Sequence, residues 1–154
     1  MPEILFINAC VRENSRTLEL AKRVLKKLSG EIKEVNLYTM ELYPLDLRGM
    51  EVREYASRSK DFSDSIFRLA KQFASAESIV IAAPYWDLMF PAVLKTYLEN
   101  ISVAGITFYY GSDGIPVGLC KAKKLYFITT AGGYIGENNF FKGCQYLNFS
   151  KKNL

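Results

Sequence analysis

Three short stretches carry side chains able to do chemistry, and each lies where an apolar run ends. In NACVRENSRT, positions 8–17, the hydroxyls of Ser15 and Thr17, the amide of Asn14 and the guanidinium groups of Arg12 and Arg16 fall close together. A helix begins there, and its first backbone N–H groups have no partner within the helix and carry the positive end of its dipole. The stretch can therefore hold a phosphate. An ordinary helix cap with solvent-facing arginines is written in the same residues. It matches neither GxGxxG nor GxxxxGK[ST], so the dinucleotide and nucleoside-triphosphate fingerprints are absent.

The second stretch, APYWDLMFP at 83–91, sets large apolar groups at a strand-to-helix junction, where small polar residues are the norm. Tyr85, Trp86 and Leu88 can border a flat aromatic ligand, or they can pack under neighbouring helices. The third, TTAGGYIG at 129–136, brings two consecutive glycines to a strand end. Glycine allows the backbone to approach a ligand and point its N–H groups at an oxygen. It also serves any tight turn. Three such loops together point to a ligand more strongly than any one of them.

Several function classes are excluded. The chain has no histidine, which removes Ser-His-Asp and Cys-His nucleophile arrangements and His-dependent zinc sites. Cys10, Cys120 and Cys144 are far apart and form no CxxC pair, as in a protein of the reducing cytoplasm. No metal site is expected. No signal-like segment or membrane-length apolar run is present in the 154 residues, so no membrane association is expected. A net charge of +4 suits a phosphorylated ligand and is too small to argue for nucleic acid.

The elements that position these loops alternate. ILFINA is a short continuous apolar run, as expected of a buried parallel strand. From Thr17 to Ser29, Leu18, Ala21, Leu25 and Leu28 share one helical face, and Gly30 closes the helix. A second strand is predicted at Ile32–Leu37, and positions 39–60 resemble a surface loop. Phe62, Ile66, Leu69, Ala70 and Phe73 mark a second helix, followed by the strand SIVIAAP. Pro91 opens a third helix, with Leu94, Leu98 and Ile101 as its buried stripe. A loop over Ser102–Gly118 leads to a fourth strand, KLYFITT. The pattern β-α-β-α-β-α-β predicts one α/β domain over 1–154, with a parallel sheet and helices on both faces. In such sheets ligands bind beyond the carboxyl ends of the strands, where all three loops lie.

ACVRENSRT, APYWDLMFPAVLKTYLENI, AGITFYY with GIPVGL, and TTAGGYIG resemble, in order and spacing, the FMN-dependent NADH:quinone oxidoreductases, also called azoreductases. The resemblance implies a flavodoxin-like three-layer fold with strand order 2-1-3-4. It implies FMN as cofactor, NAD(P)H as electron donor, and hydride passing through flavin N5 to a quinone, azo compound or similar small aromatic acceptor. The flavin then carries the chemistry and no side chain is assigned a catalytic role. The family's phosphate loop falls on Cys10, Arg12, Ser15, Arg16 and Thr17. Its flavin-flanking turn falls on Pro84, Tyr85, Trp86, Asp87 and Leu88, and the loop at the far ring edge on Thr130, Ala131, Gly132 and Gly133. A homodimer is implied, with the site at its interface and Phe108, Tyr110 and Tyr134 in the substrate pocket.

Two departures accompany the resemblance. A phosphate-loop serine common in the family is replaced near Ala9-Cys10, and the family pattern stops after Gly136. A fifth strand and last helix are therefore expected to be missing. The segment carrying Cys144, Tyr146, Leu147 and Phe149 is expected to cover part of the exposed flank of strand four. A flavodoxin-like electron carrier and a shortened paralogue without flavin share the same sequence features. A stable semiquinone would mark the carrier, and a missing flavin absorbance the paralogue.

Overall fold

A computed structural model describes residues 2–133, and the expectations for Tyr134 and for the segment after Gly136 lie outside them. Among the described residues four parallel strands form the sheet: β1 (Glu3–Asn8), β2 (Glu31–Asn36), β3 (Ser78–Ala82) and, later in the chain, Lys124–Ile128. Two strands of a separate antiparallel hairpin come earlier in the chain, β4 (Phe108–Tyr110) and β5 (Pro116–Gly118), so the last sheet strand is β6. The sheet order β2-β1-β3-β6 is the expected 2-1-3-4 in chain order of the sheet strands.

The sheet is buried on both faces because its central strands are apolar throughout. Alternate residues of β1 point to opposite sides: Leu5 and Ile7 join one core, Ile4 and Phe6 the other. β3 divides likewise, with Ile79 and Ile81 opposite Val80 and Ala82. Helix α1 (Arg16–Leu25) covers one face with Leu18, Ala21 and Leu25. Helices α3 (Arg68–Ser75) and α4 (Ala92–Ile101) cover the other, through Leu69, Leu94, Tyr97 and Ile101.

The structure corrects three segments. Residues 47–59, expected as loop, form helix α2 (Leu47–Ser59). Its buried residues are Gly49 and Ala56, both small, so no apolar stripe announces it. Asp46 caps it instead, its carboxylate accepting from the Gly49 N–H at 2.8 Å. Arg53 then ties α2 to the end of α4, donating to the carbonyls of Glu99 at 2.8 Å and Asn100 at 3.1 Å. The expected 62–73 helix is a single 3-10 turn, Ser65–Phe67, running into α3. The expected 102–118 loop contains the β4–β5 hairpin, turned at Asp113-Gly114, where Gly114 takes a φ of 76°.

Register brings the strand ends level. Asn8 pairs with Asn36 and Ala82, and Ala82 pairs with Ile128, so the loops after β1, β3 and β6 leave the sheet along one line. Among the described residues no helix is long and apolar enough to cross a membrane.

Candidate functional site

The chain leaves β1 for a helix that packs on one face of the sheet and leaves β3 for one on the other. A crevice opens between the two strand ends, the place where open α/β sheets bind ligands. A cavity of about 620 Å³ occupies it. That volume suits a small-molecule cofactor.

One end of the cavity is made by the loop after β1 and the start of α1. Ser15 caps the helix, its hydroxyl accepting from the Leu18 N–H at 3.3 Å, so the N–H groups of Arg16 and Thr17 find no acceptor within the helix. Arg12, Asn14 and Arg16 line the same end. Two guanidinium groups, hydroxyl donors and a helix N-terminus make this end an anion site.

The loop after β6 is clasped to that helix. Thr17 and Thr130 share a hydrogen bond of 2.7 Å between their hydroxyls, and Arg16 donates to the Ala131 carbonyl at 3.2 Å. On its other side the Tyr85 N–H donates to the Thr130 carbonyl at 3.0 Å. Thr130 thus joins all three loops.

The opposite end is the turn after β3. Trp86 and Met89 exchange backbone hydrogen bonds of 2.7 and 2.8 Å, with Asp87 at φ 45° and Leu88 at φ 68°. Positive φ at both central residues makes this a two-residue turn of type I′, whose usual residues are Asn and Gly. A leucine in the left-handed region costs on the order of 1 kcal/mol, and such strain gathers at functional sites. In this turn Trp86, Leu88 and Met89 are 37%, 46% and 51% exposed, and Trp86 lines the cavity.

Gly132 gives a test of what the cavity is for. Neither it nor Gly133 has a positive φ, so turn geometry does not demand glycine. Among the described residues a Cβ at Gly132 would meet no atom within 4 Å, so their packing does not demand glycine either. Gly132 lines the cavity, and its missing side chain leaves room there for a ligand. An anion site at one end, a flat aromatic rim at the other and a glycine wall between them fit a phosphorylated planar ring system such as FMN.

The structure distributes the expected residues unevenly. Arg12, Ser15, Arg16 and Thr17 line the cavity, as do Pro84, Tyr85, Trp86 and Asp87, and then Thr130 and Gly132. Leu88, Ala131 and Gly133 are not among its lining residues. Cys10 is buried, its thiol facing the Ala82 carbonyl at 3.7 Å. Burial pushes that thiol up, against a smaller lowering by Ser15, which disfavours the reactive thiolate. Phe108 and Tyr110 stand on β4, outside the cavity of their own chain, with rings 5.4 Å apart in a T arrangement.

Two supporting residues escaped the sequence reading. Asn8, nearly sealed at the end of β1, accepts from the Cys10 N–H at 3.0 Å and donates to Glu34 at 2.8 Å, which fixes the loop's exit. The only signal for it was a polar residue closing an apolar strand. Val11, half exposed, is the other addition to the cavity wall.

Residues 2–147 match the model of a family described as having a flavodoxin-like fold. The FMN-dependent NADH:quinone oxidoreductase 2 of Clostridium perfringens (strain 13) is 32% identical, over 96% of this chain and 77% of that protein. A protein of the same name from Clostridium acetobutylicum is 33% identical, over 91% of this chain and 72% of its own. Among solved structures, the azoreductase from Bacillus anthracis str. Sterne superimposes with a TM-score of 0.75 at 28% identity, covering 89% of this chain and 72% of that one. The chain belongs to the flavodoxin-like family of FMN-dependent NADH:quinone oxidoreductases.

Proposed function

We propose that this protein is an FMN-dependent oxidoreductase that carries reducing equivalents from NAD(P)H to a quinone, azo compound or similar flat acceptor. The observation that carries the reading is that one cavity joins an anion site to a strained aromatic turn, with Gly132 in its wall where neither backbone geometry nor the described neighbours demand glycine. In this reading Arg12, Arg16, Ser15 and the first N–H groups of α1 hold the FMN phosphate. Trp86 and its turn flank the ring, and backbone N–H groups near Gly132 and Gly133 face its polar edge, where negative charge develops. When bound, FMN supplies the hydride-accepting and hydride-donating centre. The chain's own part is to hold and orient, and no side-chain acid or base is assigned.

The mouth of the cavity needs a cover, and a second copy of the chain is the proposed source. The hairpin exposes Tyr109, Tyr110, Ile115 and Val117, with Leu119 just beyond, more apolar surface than a solvated hairpin requires. A homodimer through this hairpin and α4 would bring Phe108 and Tyr110 towards the partner's flavin. The free thiols Cys10 and Cys120 suit the reducing cytoplasm, where the reading places the protein. It calls for neither nucleic acid nor membrane.

The absorption spectrum of the purified protein, followed by acid extraction of the pigment, tests the reading. FMN in the extract, and NADH oxidation that depends on added quinone, are the expected results. A protein that takes up no flavin when offered excess FMN, or that carries FAD, overturns it.

A further inference from the structure

The cavity wall carries charges of both signs: Arg12 and Arg16 come from the loop and helix after β1, and Asp87, the single acidic residue among the described lining residues, comes from the turn after β3. Among the described residues nothing in the fold uses the Asp87 charge. Among the described residues, the Asp87 carboxylate has neither a hydrogen-bond nor an ion-pair partner. What is fixed is its backbone, held at φ 45° between the paired hydrogen bonds of Trp86 and Met89. Asparagine serves a type I′ turn at this position without a charge. The turn therefore explains the backbone and leaves the carboxylate unexplained.

The surroundings give the carboxylate something to act on. Trp86 lines the cavity beside Asp87, and Leu88 and Met89 of the same turn are exposed, so the turn offers apolar surface on which a flat aromatic molecule can rest next to the carboxylate. The two guanidinium groups cannot offset it there, since an FMN phosphate at the α1 end would neutralise them. We infer that Asp87 makes the open end of the cavity selective by charge, favouring neutral or cationic flat aromatic acceptors over anionic ones. The inference rests on the FMN reading and adds the acceptor class to it. Because Asp87 is exposed, water and salt screen it. The discrimination is then about two- to fivefold, the size expected of one solvent-screened charge pair.

Asp87→Asn keeps the turn and removes the charge. The FMN-loaded protein and this variant are titrated with three probes of one shape: an anthraquinone bearing a single sulfonate, one bearing a single quaternary ammonium, and the neutral parent. Binding is followed through the flavin absorbance, without turnover. The variant is expected to bind the sulfonate about two- to fivefold more tightly and the ammonium about two- to fivefold more weakly, with the neutral probe unmoved. Both changes should shrink at high salt. If both proteins hold FMN and the three affinities do not move, the charge inference is overturned and the flavin reading stands. If neither protein holds FMN when it is supplied in excess, the flavin reading fails and takes this inference with it.

Discussion

The hydrogen bond between Thr17 and Thr130 is the narrowest link between helix α1 and the loop after β6, and its two ends differ in burial. Thr17 is 1% exposed, whereas Thr130 is only half-buried. Thr130→Val leaves the Thr17 hydroxyl sealed without a partner, at a cost of about 1–3 kcal/mol. Thr17→Val leaves a Thr130 hydroxyl that can turn to water, so its cost should stay below about 1 kcal/mol. Replacing both by the isosteric valine removes donor and acceptor together, which is close to neutral. The two single effects therefore do not add, and the coupling should reach about 1–2 kcal/mol.

Urea denaturation of the flavin-free protein measures this directly, since a bound ligand would add its own stabilisation. At the melting point, a loss of about 2 kcal/mol corresponds to a fall of roughly 4–8 °C for a chain of this size. Flavin affinity supplies an independent readout. The double variant should regain stability yet still hold FMN several-fold more weakly, because the loop is no longer clasped to α1. Single effects that sum to the double within about 0.5 kcal/mol would refute the pairing. Equal costs for the two single variants would refute the burial argument.

Arg12→Ala should weaken FMN retention by about 1–3 kcal/mol, the worth of one charge-assisted contact. Ser15→Ala should do so too and also lose about 1 kcal/mol of stability through its helix cap; unchanged flavin affinity in both would place the phosphate elsewhere. Tyr97 is fully buried and its hydroxyl has no hydrogen-bond partner among the described residues, so Tyr97→Phe should raise stability by up to about 1–3 kcal/mol, as read by urea unfolding. Burial also pushes the Tyr97 phenol far up, so above pH of about 10 the unfolded chain ionises it while the folded one does not. Stability therefore holds below that pH and falls above it, and Tyr97→Phe should flatten the alkaline fall; an unchanged slope would contradict the burial. Tyr110→Lys, at a residue 63% exposed, should shift sedimentation from dimer to monomer, and a wild-type monomer at micromolar concentration with flavin bound would sink the shared site.

What was legible in the sequence followed from apolar patterning. The central strands β1 and β3 are continuous apolar runs because both their faces are covered, and α1 shows its stripe because it alone covers one face among the described residues. Helix α2 was illegible for the opposite reason. Its inner face is Gly49, Val52, Arg53 and Ala56, and with two small residues and a charged one at those positions the helical spacing shows no apolar stripe. The hairpin carried a signal in Asp113-Gly114, but its strands are three residues each, too short for alternation to stand out.

The site shows the same division at finer scale. Residue types placed Arg12, Ser15, Arg16 and Thr17 near one another, because neighbours in sequence at a helix start are neighbours in space. That Thr17 would meet Thr130, 113 residues away, depends on β1, β3 and β6 ending level, and no local pattern encodes that register. The turn after β3 is the sharpest case. Its sequence, Trp-Asp-Leu-Met, contains neither the Asn nor the Gly that a type I′ turn favours, so local preference argues against the conformation it adopts. The tertiary structure imposes it by holding Tyr85 to Thr130 on one side and starting α4 at Ala92 on the other. Where local preference and fold disagree in this way, the strain needs another reason, and a turn that sets Trp86 and Asp87 in the wall of an open cavity supplies it.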